Sequence, residues 1–110
     1  MKKAKPASDA EPEGLREITP QKMAKYLETT AKAFAKVRVV APERSLAARA
    51  AKSFLDMAER YYADAQHNAK LGDYVNAFAQ VNYAHGWLDA GARLGVFDVG
   101  GDDQLFTLLD

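Results

Sequence analysis

The sequence predicts an all-α fold, an antiparallel three-helix bundle with a flexible N-terminal tail and a short C-terminal extension. Three observations carry this expectation. Apolar residues recur at helical three-and-four spacing through most of the chain, the connections between the periodic segments are short, and β-branched runs are almost absent. The 110 residues suit roughly one domain, and 48% hydrophobic with 27% charged side chains is ordinary for a water-soluble chain.

Residues 1–17 combine charge with two prolines and a glycine and hold few apolar side chains, which predicts the flexible tail. A first helix should open at Pro20: Thr19 can cap it, proline suits its first turn, and Ile18 can staple to Met23. Its apolar positions are Met23, Tyr26, Leu27, Thr30, Ala31, Phe34 and Val37, and Val39-Val40-Ala41-Pro42 should end it. The second and longest helix is expected from about Pro42-Glu43, with Ala47, Ala50, Phe54, Met57, Ala58, Tyr61, Ala65 and Asn68 on one stripe. Leu71-Gly72-Asp73 then supplies a left-handed stop and an aspartate cap in three residues, which forces a helical hairpin. A third helix should run from Tyr74 to about Leu94 and stop at Gly95. The bundle is thus expected over residues 18–95, with 96–110 as an extension whose apolar Leu105-Phe106-Thr107-Leu108-Leu109 wants a surface.

Three stretches, Tyr61-Tyr62-Ala63-Asp64-Ala65, Leu71-Gly72-Asp73-Tyr74-Val75-Asn76-Ala77, and Tyr83-Ala84-His85-Gly86-Trp87-Leu88-Asp89-Ala90 with Leu94-Gly95, carry a family likeness. In them the chain resembles an archaeal family of short proteins catalogued as a domain of unknown function, number 357 of that series. The resemblance spans residues 18–110, including the Leu-Phe-Thr ending. It implies an archaeal source and a spectrin-repeat-like three-helix bundle, and it supplies no activity, substrate or catalytic residue. The Gly72-Asp73-Tyr74-x-x-Ala77 piece is also similar to the turns of tetratricopeptide repeats and of the microtubule-interacting-and-trafficking bundle, both binding modules.

The third helix has one apolar face too many. Tyr74, Ala77, Val81, Ala84, Leu88, Ala92 and Gly95 form a core stripe, yet Tyr83, Trp87, Ala90 and Leu94 make a second stripe on nearly the opposite side. An uncovered patch with Trp and Tyr is the composition of a contact hot spot. The expected covers are the chain's own C-terminal segment first, then a second copy, then a foreign helix. Tyr83, Trp87, Leu94, Leu105 and Phe106 are therefore the candidate partner-contact residues, with a protein partner or a homodimer implied.

Lys22, Lys25, Lys32 and Lys36 lie within about 80° of arc on the first helix. They are the candidate phosphate-contact residues of an alternative reading, binding of a nucleic acid or phosphate polymer, with Thr29 as an added hydroxyl donor. Against it, no aromatic residue interleaves with the lysines to stack on bases, and lysine-rich outer faces are normal solvation.

No catalytic, cofactor or metal site is expected. The chain has no cysteine, Ser45 and Ser53 are remote from His67, and no glycine loop has the form of a phosphate cradle. Asp64-x-x-His67 and His85-x-x-x-Asp89 have helical ligand spacing, but the two pairs fall at different heights of the hairpin. His67 is expected to be exposed and His85 to lie beside Tyr74 or Phe78. Gly86 and Gly91 are expected to permit close helix approach. With no run of the roughly 18 apolar residues a membrane span needs and no export signal after Met1-Lys2-Lys3, a cytoplasmic, non-membrane protein is expected. The formal net charge of zero is segregated: residues 1–40 carry a net +4, residues 41–72 +1 and residues 73–110 −5.

Overall fold

Thr19 opens the first helix by accepting the Lys22 N–H at 3.1 Å, and Pro20 occupies the position where a missing N–H costs nothing. In the computed structural model, which describes residues 16–109, this helix is α1, Pro20–Lys36. The expected flexible tail over 1–17 lies outside the described residues except for Arg16 and Glu17. Val37 leaves α1 in an extended conformation, and the chain at once forms a two-residue strand, β1, Arg38–Val39.

The second helix, α2, spans Leu46–Lys70 and begins later than Pro42-Glu43. Arg44 adopts a left-handed φ of 64°, which breaks any helix there. Ser45 then serves as the cap, accepting from Ala48 N–H at 3.0 Å while its hydroxyl donates to the Pro42 carbonyl. At the other end Gly72 takes the left-handed conformation at φ 82°, and Asp73 accepts from the backbone and side-chain amides of Asn76 at 3.1 and 2.7 Å. These bonds, the side-chain one foremost, hold the Asp73 carboxyl below the usual aspartate range. The third helix, α3, Tyr74–Leu94, ends at Gly95 with φ 89°, as its sequence predicts.

A second strand, β2, Phe97–Asp98, pairs antiparallel with β1, Arg38 opposite Asp98 and Val39 opposite Phe97. No alternating pattern announces a ladder this short, and it ties the end of α1 to the end of α3. Gly91 makes room for it, because a Cβ there would stand 2.2 Å from the Phe97 ring. The close approach expected at Gly91 is thus to a strand residue, whereas Gly86 faces open space.

Contacts fix an up-down-up bundle, α1 parallel to α3 and α2 antiparallel to both: Tyr26 meets Phe78, Thr30 meets His85, Tyr61 meets Tyr83, and Phe54 meets Trp87. Ala51, Ala58 and Ala65, one every seven residues, are fully buried on α2. The true core stripe of α2 is therefore rotated by about 50° from the expected one, toward Leu55, Tyr62 and Ala69, which pack in the interior. Two clusters fill that interior. The upper contains Ala33, Ala51, Ala58, Leu88, Val96, Phe97, Val99 and Phe106; the lower contains Met23, Ala65, Ala77 and Val81.

Candidate protein-contact face

Two aromatic contacts join the outer edges of α2 and α3. The Tyr61 and Tyr83 rings meet edge-on at 4.5 Å, and Phe54 lies 5.2 Å from Trp87, which is 6.1 Å from Tyr83. Counting one turn at a time from Phe54 and Trp87 along the antiparallel hairpin puts Ala50 at the level of Ala90 and Leu46 at the level of Leu94. Tyr83 is 50%, Leu94 61% and Leu46 83% exposed. Much of the stripe predicted for α2 belongs to this face. Met57, Ala50 and Tyr61 are half-buried at its margin, not in the interior.

Charge is nearly missing from the α3 side. Its exposed positions are Val75, Asn76, Ala79, Asn82, Tyr83, Gly86, Ala90, Arg93 and Leu94, with Arg93 the one charged group. An open groove of about 250 Å³ lies between Tyr83, Gly86, Trp87 and Ala90. Trp87 is half-buried, and its indole Nε1 has no hydrogen-bond partner among the described residues.

The C-terminal segment does not cover this face. It docks on the opposite flank of α3, where His85, Asp89 and Arg93, one per turn, bind its backbone. His85 Nε2 donates to the Leu105 carbonyl at 2.6 Å, so in the neutral ring Nδ1 accepts the Thr30 hydroxyl at 3.0 Å. Asp89 accepts the Thr107 N–H at 2.9 Å, and Arg93 reaches the Leu108 carbonyl at 3.5 Å. Phe106, expected in the contact surface, is 3% exposed in the chain's own upper cluster, and Leu105 is half-buried against the same cluster. Full burial of such a ring contributes about 1.5–3 kcal/mol, enough to hold the segment down.

His85 thus bridges α1 and the C-terminal strap and lies beside Phe106, not beside Tyr74 or Phe78. His67 is exposed. Among the described residues no cluster of three His, Asp or Glu could hold a metal ion. The strap starts from Asp102, which accepts the Leu105 and Gln104 N–H groups and pairs with Lys36 at 3.5 Å. Those bonds, the Leu105 amide first, lower its carboxyl below the ordinary value. Asp98 is lowered likewise by the Gly100 amide and by Arg38, whose guanidinium donates at 2.8 Å.

The lysines of α1 are mostly engaged. Lys36 meets Asp102, Lys32 lies 4.0 Å from Glu28, and Lys22 sits 5.8 Å from the Phe78 ring centre. Lys25 is exposed without an ion-pair partner among the described residues, and the Thr29 hydroxyl donates to the Lys25 carbonyl. On the far side of α1, Tyr62 donates to the Leu27 carbonyl at 3.0 Å, and burial pushes its phenol up.

Fold and face together define a small all-α three-helix bundle, strapped by its C-terminal segment and bearing an apolar face on its α2–α3 hairpin. The chain belongs to the family described as protein of unknown function (DUF357), whose model matches residues 25–97. That match includes the whole apolar face and ends at the strand that precedes the strap. No curated protein and no solved structure matches the chain. Among the described residues no helix is long and apolar enough to cross a membrane.

Proposed function

We propose that this protein works by protein–protein contact, without catalysis and in the cytoplasm, and that the apolar face of the α2–α3 hairpin is the contact surface. The observation that carries the reading is the exposure of Tyr83 and Leu94 beside Trp87 on an α3 surface whose one exposed charge, Arg93, is marginal. A ridge of aromatic and leucine side chains left in water costs free energy that a partner recovers, and Tyr and Trp dominate contact energetics. The strap contributes indirectly. Leu105 and Phe106 fix the upper end of the hairpin, so the face is presented on a rigid support.

The lysine ridge supports the phosphate-polymer reading less well. Lys22, Lys32 and Lys36 already have partners within the chain, and a phosphate would have to compete for them. Salt separates the two readings: an apolar contact is nearly insensitive to it, whereas a lysine–phosphate contact weakens steeply.

The test is a tagged full chain recovered from the cells that produce it, compared with Tyr83→Glu/Leu94→Glu. Both positions are exposed, so at low micromolar concentration the variant should keep its helix content and lose at most the worth of the Tyr83 ring contacts, about 0.5–1.5 kcal/mol. Proteins retained by the natural chain at both low and high salt, and lost with the variant, are expected. Equal retention by the two overturns the reading.

A further inference from the structure

We propose that the occupant of this face is a second copy of the chain, its α3 packed antiparallel on the first about a two-fold axis between Gly86 and Trp87. The inference rests on the contact reading above and names its partner.

Six residues of α3, Ala79, Tyr83, Gly86, Trp87, Ala90 and Leu94, fall within about 100° of arc. Turned over on itself about the midpoint of 86 and 87, this set maps onto itself. Tyr83 comes level with Ala90 of the second copy, Trp87 with its Gly86, and Leu94 with its Ala79. Each large side chain meets a small one, and two-fold symmetry makes each contact twice. A foreign helix has no reason to match this order of large and small positions; a second copy does so by construction.

The holes are open. A Cβ at Gly86 would meet nothing within 4 Å, and the groove beside it is unfilled. Charge agrees. A two-fold axis brings any charge near it close to its own copy, so a self-associating face must be neutral at its centre. The sole exposed charge of α3, Arg93, lies outside the six-residue set, although residues 73–110 as a whole carry a net −5.

The area is sufficient. The same rotation lays the outer edge of α2, with Phe54, Met57 and Leu46, along α2 of the second copy. Exposed charges bordering that edge include the Asp56–Arg60 pair, neutral as a pair at 3.0 Å, and Asp64 toward the lower end. A face about 24 Å long and two helices, about 20 Å, wide buries on the order of 1,000 Å² in total, the lower bound for a specific interface. That size fits a reversible dimer.

Sedimentation of the full chain from about 1 to 300 μM should show a monomer–dimer equilibrium, changed little by salt. Gly86→Glu, in open space, should keep helix content and melt at low concentration no lower than the natural chain, while weakening the dimer about tenfold or more. Ala90→Glu serves as a second variant should the first misfold. Register is read by Ala79→Cys/Leu94→Cys in a chain with no other cysteine. The two sites are about 22 Å apart on one helix, too far to bridge within a chain, so mild oxidation should yield a covalent dimer. Ala79→Cys alone should not. A monomer at all concentrations, a dimer indifferent to both glutamates, or equal cross-linking by Ala79→Cys alone overturns the proposal. A monomer that still loses a foreign partner through Tyr83→Glu/Leu94→Glu overturns only the second copy and leaves the contact reading standing.

Discussion

Gly86 and Gly91 share one helix and one residue type, yet the space around them differs. A methyl group at Gly86 projects into the open groove, so Gly86→Ala should stabilise the monomer by up to about 1 kcal/mol through helix propensity alone. A methyl group at Gly91 collides with the Phe97 ring, a buried side chain with no room to retreat. There the overpacking cost of about 1–3 kcal/mol outweighs the same propensity gain, and Gly91→Ala should destabilise. Denaturant melts of the two variants at low micromolar concentration should move in opposite directions. A stabilised Gly91→Ala would mean that Phe97 does not pack under α3. His85 shows how a residue's role depends on its neighbours. Its spacing to Asp89 suits a metal pair, but in the fold both ring nitrogens of His85 are taken, by Thr30 and by the strap, and Asp89 also binds the strap backbone.

Among the elements, those with chemical punctuation were readable from sequence. Thr19-Pro20, Gly72-Asp73 and Gly95 stand where the structure starts or stops helices, because a cap or a positive φ is a local property of the residue. The start of α2 was not, since it turns on the unusual φ of Arg44 and the double bonding of Ser45. Nor was the core side of α2. Large side chains drew the stripe toward Phe54 and Tyr61, whereas the closest helix approach is marked by small ones, Ala51, Ala58 and Ala65. The second apolar stripe of α3 was legible, but not that the strap would dock elsewhere, because it is held through its backbone by His85, Asp89 and Arg93, and backbone acceptors and donors leave no pattern in a sequence. The strap carries its own pH dependence. The Asp102 carboxyl is lowered in the folded chain, so its contribution is fully present above the ordinary aspartate value of about 3.9 and is lost as pH falls through the lowered value. The melting temperature of Asp102→Asn should lie below that of the natural chain at neutral pH, with the gap closing as pH drops below about 4. A gap unchanged from pH 6 to about pH 2 would show that the turn does not need the carboxylate.

At the scale of the whole molecule, the segregated charge is used within one chain. Lys36 and Arg38, from the basic segment, pair with Asp102 and Asp98, from the acidic one, and both pairs lie at the upper end. Exposed pairs contribute little energy each, so their effect is to set where the strap and ladder close. That closure makes the bundle unequal along its length. The upper cluster gathers side chains from all three helices, β2 and the strap, while the lower has only Met23, Ala65, Ala77 and Val81 buried. Tyr26, Leu27, Tyr62, Tyr74 and Phe78 are half-buried around them, and an open groove lies beside Met23, Leu27 and Tyr74 on the α1–α2 seam. Local opening should therefore begin at the lower end, around the Gly72 turn, with the upper hairpin following only on global unfolding. Amide hydrogen exchange should be at least about tenfold faster over residues 62–69 and 77–81 than over 50–58 and 84–92. The measurement belongs on Gly86→Glu at low micromolar concentration, where self-association is weakest and the gradient reports the single chain. Equal protection of both halves would mean that the two clusters unfold as one unit, and faster exchange at the upper end would mean that the strap does not stiffen the support beneath Tyr83, Trp87 and Leu94.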